Sequence, residues 1–181
     1  MKKFGLFLTV SAVVFCFVTS CEKEGEDHLN TWMVANITAF NAIKTNPDYK
    51  EIKSPGNEES IYYKVLNKGD GTDPILYTSI VNCYYKGYFV ADYPNYSITN
   101  GKVFDQQLFD DGPSATFAVS GVVSGWKTAL QHMVKGDKWE IWIPYQLGYG
   151  RSNYQNTGST IPGYSTLVFE LEVVGVRGID D

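Results

Sequence analysis

The chain has 181 residues, of which 44% are hydrophobic and 19% charged. That balance supports one packed domain with an appendage and excludes wholesale disorder. The net charge of −5 and the lack of a basic stripe exclude a nucleic-acid backbone as partner. Aromatics reach 15%, with 13 Tyr, a composition suited to clefts where an apolar ring carries one polar tip.

In chain order, Lys2 and Lys3 form a positive start, and the apolar run from Phe4 to Phe17 is too short to span a bilayer. Residues 1–20 are therefore expected to be a signal peptide. Val18-Thr19-Ser20-Cys21 resembles the lipobox of bacterial lipoproteins, which implies cleavage before Cys21 and its acylation. Stable anchoring needs more than one acyl chain, since each buried CH₂ contributes only about 0.8 kcal/mol. An ordinary secretory signal followed by an incidental cysteine is the alternative. Cys16 leaves with the signal and Cys21 would be acylated, so Cys83 is expected to be an unpaired core residue. Residues 21–29 read as an acidic, solvated tether, with Glu22-Lys23-Glu24-Gly25-Glu26-Asp27 charged and mostly acidic.

Residues 30–59 are expected to be a helical extension and linker. Trp32, Ala35, Ile37, Phe40 and Ile43 give a rough helical stripe over 30–44, ended by Asn46-Pro47. A short helix is marginal alone, so it should pack on the main domain. Residues 48–60 are polar and contain Pro55-Gly56, which reads as linker.

From residue 60 the pattern turns β. Period-two alternation is plain around Ile61–Val65, Val81–Tyr85, Trp139–Ile143 and Leu167–Val173, as antiparallel strands with one buried face require. A single helix interrupts them, with Val123, Trp126, Leu130 and Met133 on one face and Gly136 as terminator. The fold class is α+β: an antiparallel sheet with one short helix packed on it.

Five segments then become specific. Val81-Asn82-Cys83-Tyr84-Tyr85-Lys86-Gly87 resembles the Val-x-Val-x-Tyr-x-Gly strand of FKBP-type peptidyl-prolyl cis-trans isomerases. Lys102-Val103-Phe104-Asp105, Val122-Val123-Ser124-Gly125-Trp126, Ile143-Pro144 through Gly148-Tyr149-Gly150, and Ile161-Pro162 through Phe169 resemble further motifs of that family, in its order. The runs Ala115–Trp126 and Trp139–Pro144 resemble most the macrophage infectivity potentiator branch. The resemblance implies a twisted sheet of about five strands wrapped on one helix, with the isomerase domain over residues 60–177.

It also implies a site. Trp126 would floor a proline pocket, with Tyr85, Phe104 and Phe169 as walls and Val122, Val123 and Ile161 closing the sides. The Val123 N–H and the Tyr149 hydroxyl would donate to substrate carbonyls, and Asp105 would be the polar group at the rim. One aromatic wall of the family is replaced near Ala115. The segment 88–103 is longer than usual and holds Tyr88, Phe89, Tyr93 and Tyr96, which suggests an enlarged flap.

The expected function is isomerisation of X–Pro bonds in envelope polypeptides, without cofactor or metal, by a monomer held to the membrane through Cys21. The outer membrane is the expected site. A non-catalytic chaperone using the same pocket is the alternative, and the Tyr-rich insertion allows a third reading as a glycan-binding accessory. The two histidines, His28 and His132, support neither a nucleophile relay nor a zinc site.

Overall fold

The computed structural model describes residues 20–90, 102–156 and 159–178. Helix α1 (Ser20–Lys44) is followed by β1 (Lys50–Lys53), β2 (Ser60–Asn67), β3 (Ile80–Phe89), β4 (Val103–Gln107) and β5 (Ala115–Ala118). Helix α2 (Ser124–Leu130) precedes β6 (Lys138–Ile143), the short pair β7 (Tyr154–Asn156) and β8 (Ser159–Ile161), and β9 (Leu167–Arg177). The architecture is α+β. The main sheet has seven strands in the order β1-β2-β6-β9-β3-β4, with β5 also pairing β3. All pairings are antiparallel.

The count exceeds the expected five for two local reasons. Residues 50–53, read as linker, pair as β1 along the edge of β2, from Lys50↔Tyr63 to Lys53↔Ser60. Strands β4 and β5 divide one edge of β3: β4 takes Tyr85 to Tyr88 and β5 takes Ile80 to Cys83.

Alternation explains the core. Ile61, Val81, Cys83, Ile141, Ile143, Leu167, Phe169, Leu171 and Val173 point to one face and meet Trp126, Ala129, Leu130 and Met133. Each such side chain, fully buried, contributes about 1.5–3 kcal/mol. Helix α2 ends at Leu130, earlier than the apolar spacing suggested, and Met133 sits in the following turn, still 1% exposed. Gly136 then adopts φ 91°, and its N–H donates to Val173 O at 2.7 Å, which ties the turn to β9. The close approach of α2 to β6 depends on Gly125, because a Cβ there would clash with Ile143 Cγ2. Cys83 is buried and unpaired, and burial pushes its thiol up to about 12, in keeping with a core residue.

The opposite face of the sheet is covered by α1. Ala39, Phe40 and Ile43 pack on Tyr62, Tyr88, Trp142 and Val168. Beneath them Glu140 is buried and accepts hydrogen bonds from the Tyr49 hydroxyl and from Trp142 Nε1, the latter at 2.8 Å. Burial and the Glu140 carboxylate both raise the Tyr49 phenol above its ordinary value.

Helix α1 differs from expectation in two ways. It already includes residues 21–29, read as a solvated tether, in keeping with the good helix formers Glu and Lys there. Its buried stripe also runs through Asn36 in place of Ile37, which is 37% exposed. Positions 32, 36, 39, 40 and 43 follow the i, i+4, i+7 spacing of one helix face. No helix among the described residues is long and apolar enough to cross a membrane.

Candidate active site

The residues singled out in the sequence come from five separate elements. Tyr85 lies on β3, Phe104 and Asp105 on β4, Trp126 on α2, Tyr149 in the turn after β6, and Phe169 on β9. The antiparallel order places β9, β3 and β4 side by side, with Gly87 opposite both Phe169 and Asp105. Gly87 has no side chain, and that makes room for two rings: a Cβ there would meet Phe104 Cζ and Phe169 Cε1, each at 2.7 Å.

Trp126 is the hub. Its ring stands edge-to-face with Phe169 at 5.1 Å, Phe117 at 5.3 Å and Tyr85 at 5.4 Å between centroids. Phe169 in turn meets Phe104 edge-on at 5.4 Å. These separations and near-perpendicular planes suit the ring quadrupoles and add to simple burial. Trp126 is only 4% exposed, and its indole N–H finds no acceptor among the described residues. Packing against ring edges therefore holds it, not a polar tether.

Polar groups sit at the margin. The Tyr85 hydroxyl hydrogen-bonds to the Asp105 carboxylate, and burial first, then the charge and hydrogen bond of Asp105, raise the Tyr85 phenol. Tyr149 is also raised, by burial, then Tyr154, then Asp105. Asp105, Tyr85 and Tyr149 thus form one cluster beside the aromatic rings. Both phenols keep their protons at neutral pH, so they act as donors.

Val122 and Val123 are partly buried and pack on the core beside Trp126. Val123 is extended, at φ −61° and ψ 154°, and caps α2. Ile161 ends β8 and is fully buried. Val122, Val123 and Ile161 thus share the hydrophobic core that holds Phe104, Trp126 and Phe169, while Asp105 and Tyr149 adjoin Tyr85. The backbone at Cys21 lies within α1, but its side chain falls outside the description, as do Tyr93 and Tyr96.

Three residues were missed. Phe117 on β5 stands 5.7 Å from Tyr85 as well as against Trp126, and so supplies an aromatic wall two residues from Ala115, where one had seemed absent. Its parity with Ala115 in a strand opposite Val81 was the available signal. Phe89 lies 4.8 Å from Phe104, although it was read as part of the insertion. Tyr154 stacks on Tyr149 at 4.3 Å and is 44% exposed. That contact spans a polar loop with no periodicity to reveal it. Trp139 lies in the core: it is 5% exposed and stacks on Tyr63 at 4.2 Å.

Among the described residues no group of acidic, Cys or His side chains could hold a metal ion. The arrangement sets a cluster of apolar rings beside the polar side chains of Tyr85, Asp105 and Tyr149.

Comparison with known proteins follows the same lines. Residues 76–174 match the family described as FKBP-type peptidyl-prolyl cis-trans isomerase. Over 119 residues the chain is 37% identical to the FKBP-type 22 kDa peptidyl-prolyl cis-trans isomerase of Escherichia coli (strain K12), covering 66% of this chain and 51% of that protein. It is 32% identical over 117 residues to the Outer membrane protein MIP of Legionella longbeachae, covering 65% of this chain and 44% of that one. The chain therefore spans about half the length of the curated relatives it matches. Among solved structures it resembles a peptidyl-prolyl cis-trans isomerase from Pseudomonas syringae pv. tomato, with TM-score 0.63 and 30% identity over 82% of this chain and 95% of that one. Ring cluster, strand order and these matches agree: the chain belongs to the family of FKBP-type peptidyl-prolyl cis-trans isomerases.

Proposed function

We propose that this chain catalyses cis-trans isomerisation of X–Pro bonds in polypeptides of the bacterial envelope. The barrier to rotation is about 18–20 kcal/mol, because the amide must lose its resonance. No bond is made or broken, so the catalyst needs neither nucleophile nor metal. It needs to bind the twisted amide more tightly than the planar one. A twisted carbonyl carries less negative charge, and a dry aromatic surround disfavours the more polar planar form.

The observation that carries this reading is the convergence of Tyr85, Phe104 and Phe169 on the buried ring of Trp126, directly and through Phe169. In this mechanism Trp126 lies under the pyrrolidine ring, and Tyr85, Phe104, Phe169 and Phe117 wall it. Val122, Val123 and Ile161 close the sides. Tyr149 keeps its proton and donates to a substrate carbonyl, and the Val123 N–H donates to a second. Asp105 anchors Tyr85 and does no proton transfer, because there is no proton to move.

Anchoring through an acylated Cys21 is part of the same proposal. The lipobox-like run supports it, and one relative is named an outer membrane protein. Cys21→Ser should move the protein from the membrane fraction to the soluble one, and intact mass should show loss of the acyl groups.

A protease-coupled proline-peptide assay on the chain lacking residues 1–21 tests the enzyme. Wild type should turn over, and Tyr149→Phe should lower kcat/KM about tenfold, the effect of one hydrogen bond of about 1.4 kcal/mol. Absent turnover in wild type, with proline peptides still bound, would leave a chaperone instead.

A further inference from the structure

We propose that α1 is a positioning element of the site, with Trp32 setting the place of the Phe104 wall through Phe89. The proposal rests on the isomerase reading and extends it to a segment outside residues 76–174, the span that matches the family.

A continuous line of rings leads from the helix to the pocket. Trp32 stands edge-on to Phe89 at 5.7 Å, Phe89 lies against Phe104 at 4.8 Å, and Phe104 meets Phe169 at 5.4 Å. Phe89 is 6% exposed and Phe104 8%, so each ring is confined on most sides. In a close-packed interior a shift in one ring passes to the next. Phe104 is flanked by Phe89 on one side and by Phe169 on the other. Without Trp32, Phe89 loses its outer contact, and Phe104 gains room to move away from the pocket.

The helix is indexed for this role by Asn36. It is 1% exposed, and its amide is engaged at both ends. Nδ2 donates to Trp32 O at 2.9 Å, and Oδ1 accepts the Thr166 N–H at 2.7 Å. The Asn36 carbonyl also accepts the Thr166 hydroxyl at 3.0 Å. A buried amide left unpaired is costly, so these bonds select one rotation and one height of α1 on the domain. That setting lays Trp32, one turn before Asn36, against Phe89. Thr166 immediately precedes β9, which carries Phe169, so the same clamp holds a second wall of the pocket.

The test is a set of variants of the full-length chain in detergent micelles, assayed by protease-coupled turnover and checked for folding by thermal melts. Trp32→Ala should lower kcat/KM about tenfold, as slight misplacement of a positioned group does. Trp32→Phe, which keeps a ring edge toward Phe89, should restore it to within about twofold of wild type. Val34→Ala, on the exposed side of the same helix, should leave it unchanged. In a Phe89→Leu background, adding Trp32→Ala should cause no further loss, since the relay is already cut. Three results would overturn the proposal: a folded Trp32→Ala with wild-type kcat/KM, equal losses in Trp32→Ala and Trp32→Phe, or losses that multiply in the double variant. Wild type without turnover would instead refute the isomerase reading. The same comparison then runs on affinity for a Leu-Pro tetrapeptide by calorimetry, where an unaltered Trp32→Ala affinity refutes the positioning role.

Discussion

Gly87→Ala puts the geometry of the pocket to a sharp test. The new Cβ would lie 2.7 Å from Phe104 Cζ and 2.7 Å from Phe169 Cε1, where real Cβ contacts do not occur. Gly87 is not in the left-handed region, so alanine brings no backbone strain of its own. It would stabilise by about 0.4–1 kcal/mol through loss of unfolded-state freedom. Overpacking acts against this by about 1–3 kcal/mol. The net expectation is a loss of about 1–2 kcal/mol, or a Tm lower by about 2–8 °C for a domain of this size. In the proposed mechanism the displaced rings wall the pocket, and the Phe169 ring centroid lies 5.1 Å from that of Trp126. kcat/KM should therefore fall about tenfold or more, at temperatures well below the melt. Gly121→Ala is the control, because nothing lies within 4 Å of its Cβ. Thermal melts and the protease-coupled assay read both effects. A Gly87→Ala protein as stable and active as wild type would refute the claim that this bare stretch of strand makes room for the two rings.

Two further predictions separate the faces of the sheet and the charge states of the site. Tyr49→Phe removes a donor from buried Glu140, which among the described residues keeps the Trp142 N–H as its one side-chain donor. Stability should fall by about 1.5–3 kcal/mol, the range for hydrogen bonds to charged groups, in urea titration. kcat/KM should not change, because the pair lies in the cluster on the far side of the sheet from the Trp126 rings and touches neither Trp32 nor Phe89; a marked loss of turnover would contradict the two-face division. Tyr49, Tyr85 and Tyr149 all have phenols raised by folding. A raised folded value means the native state holds its proton more tightly. Their stabilisation is thus complete below about pH 10 and is lost as pH climbs through the folded values. Tm should fall above about pH 10, and Tyr85→Phe should shallow that fall; a flat profile in wild type would contradict the assignment.

Much of this was legible from the chain alone. Alternation at Val81–Tyr85, Trp139–Ile143 and Leu167–Val173 marks strands, because a pleated ribbon with one buried face needs that period. The segments around Tyr85, Phe104, Trp126, Tyr149 and Phe169 resemble family motifs in family order, and the structure gathers all five. Other features escaped for a common reason: no local period encodes them. β1 is a polar edge strand of four residues whose partner supplies its definition. Phe117 and Phe89 are strand residues with ordinary parity, and it is the pairing of β5 and β4 with β3 that sets Phe117 beside Tyr85 and Phe104 beside Phe89.

The residue order alone determined the fold class, because it rests on short-range periodicity, and it named Tyr85, Phe104, Trp126, Tyr149 and Phe169 through the resemblance of their segments to family motifs. Tertiary structure alone decided that the middle and end of α1 lie on the outer face, that Asn36 displaces Ile37 from its buried stripe, and that Trp32 reaches Phe89. Those choices are made by contacts such as that of Asn36 with Thr166, 130 residues apart, which exist only after the sheet has brought both ends together.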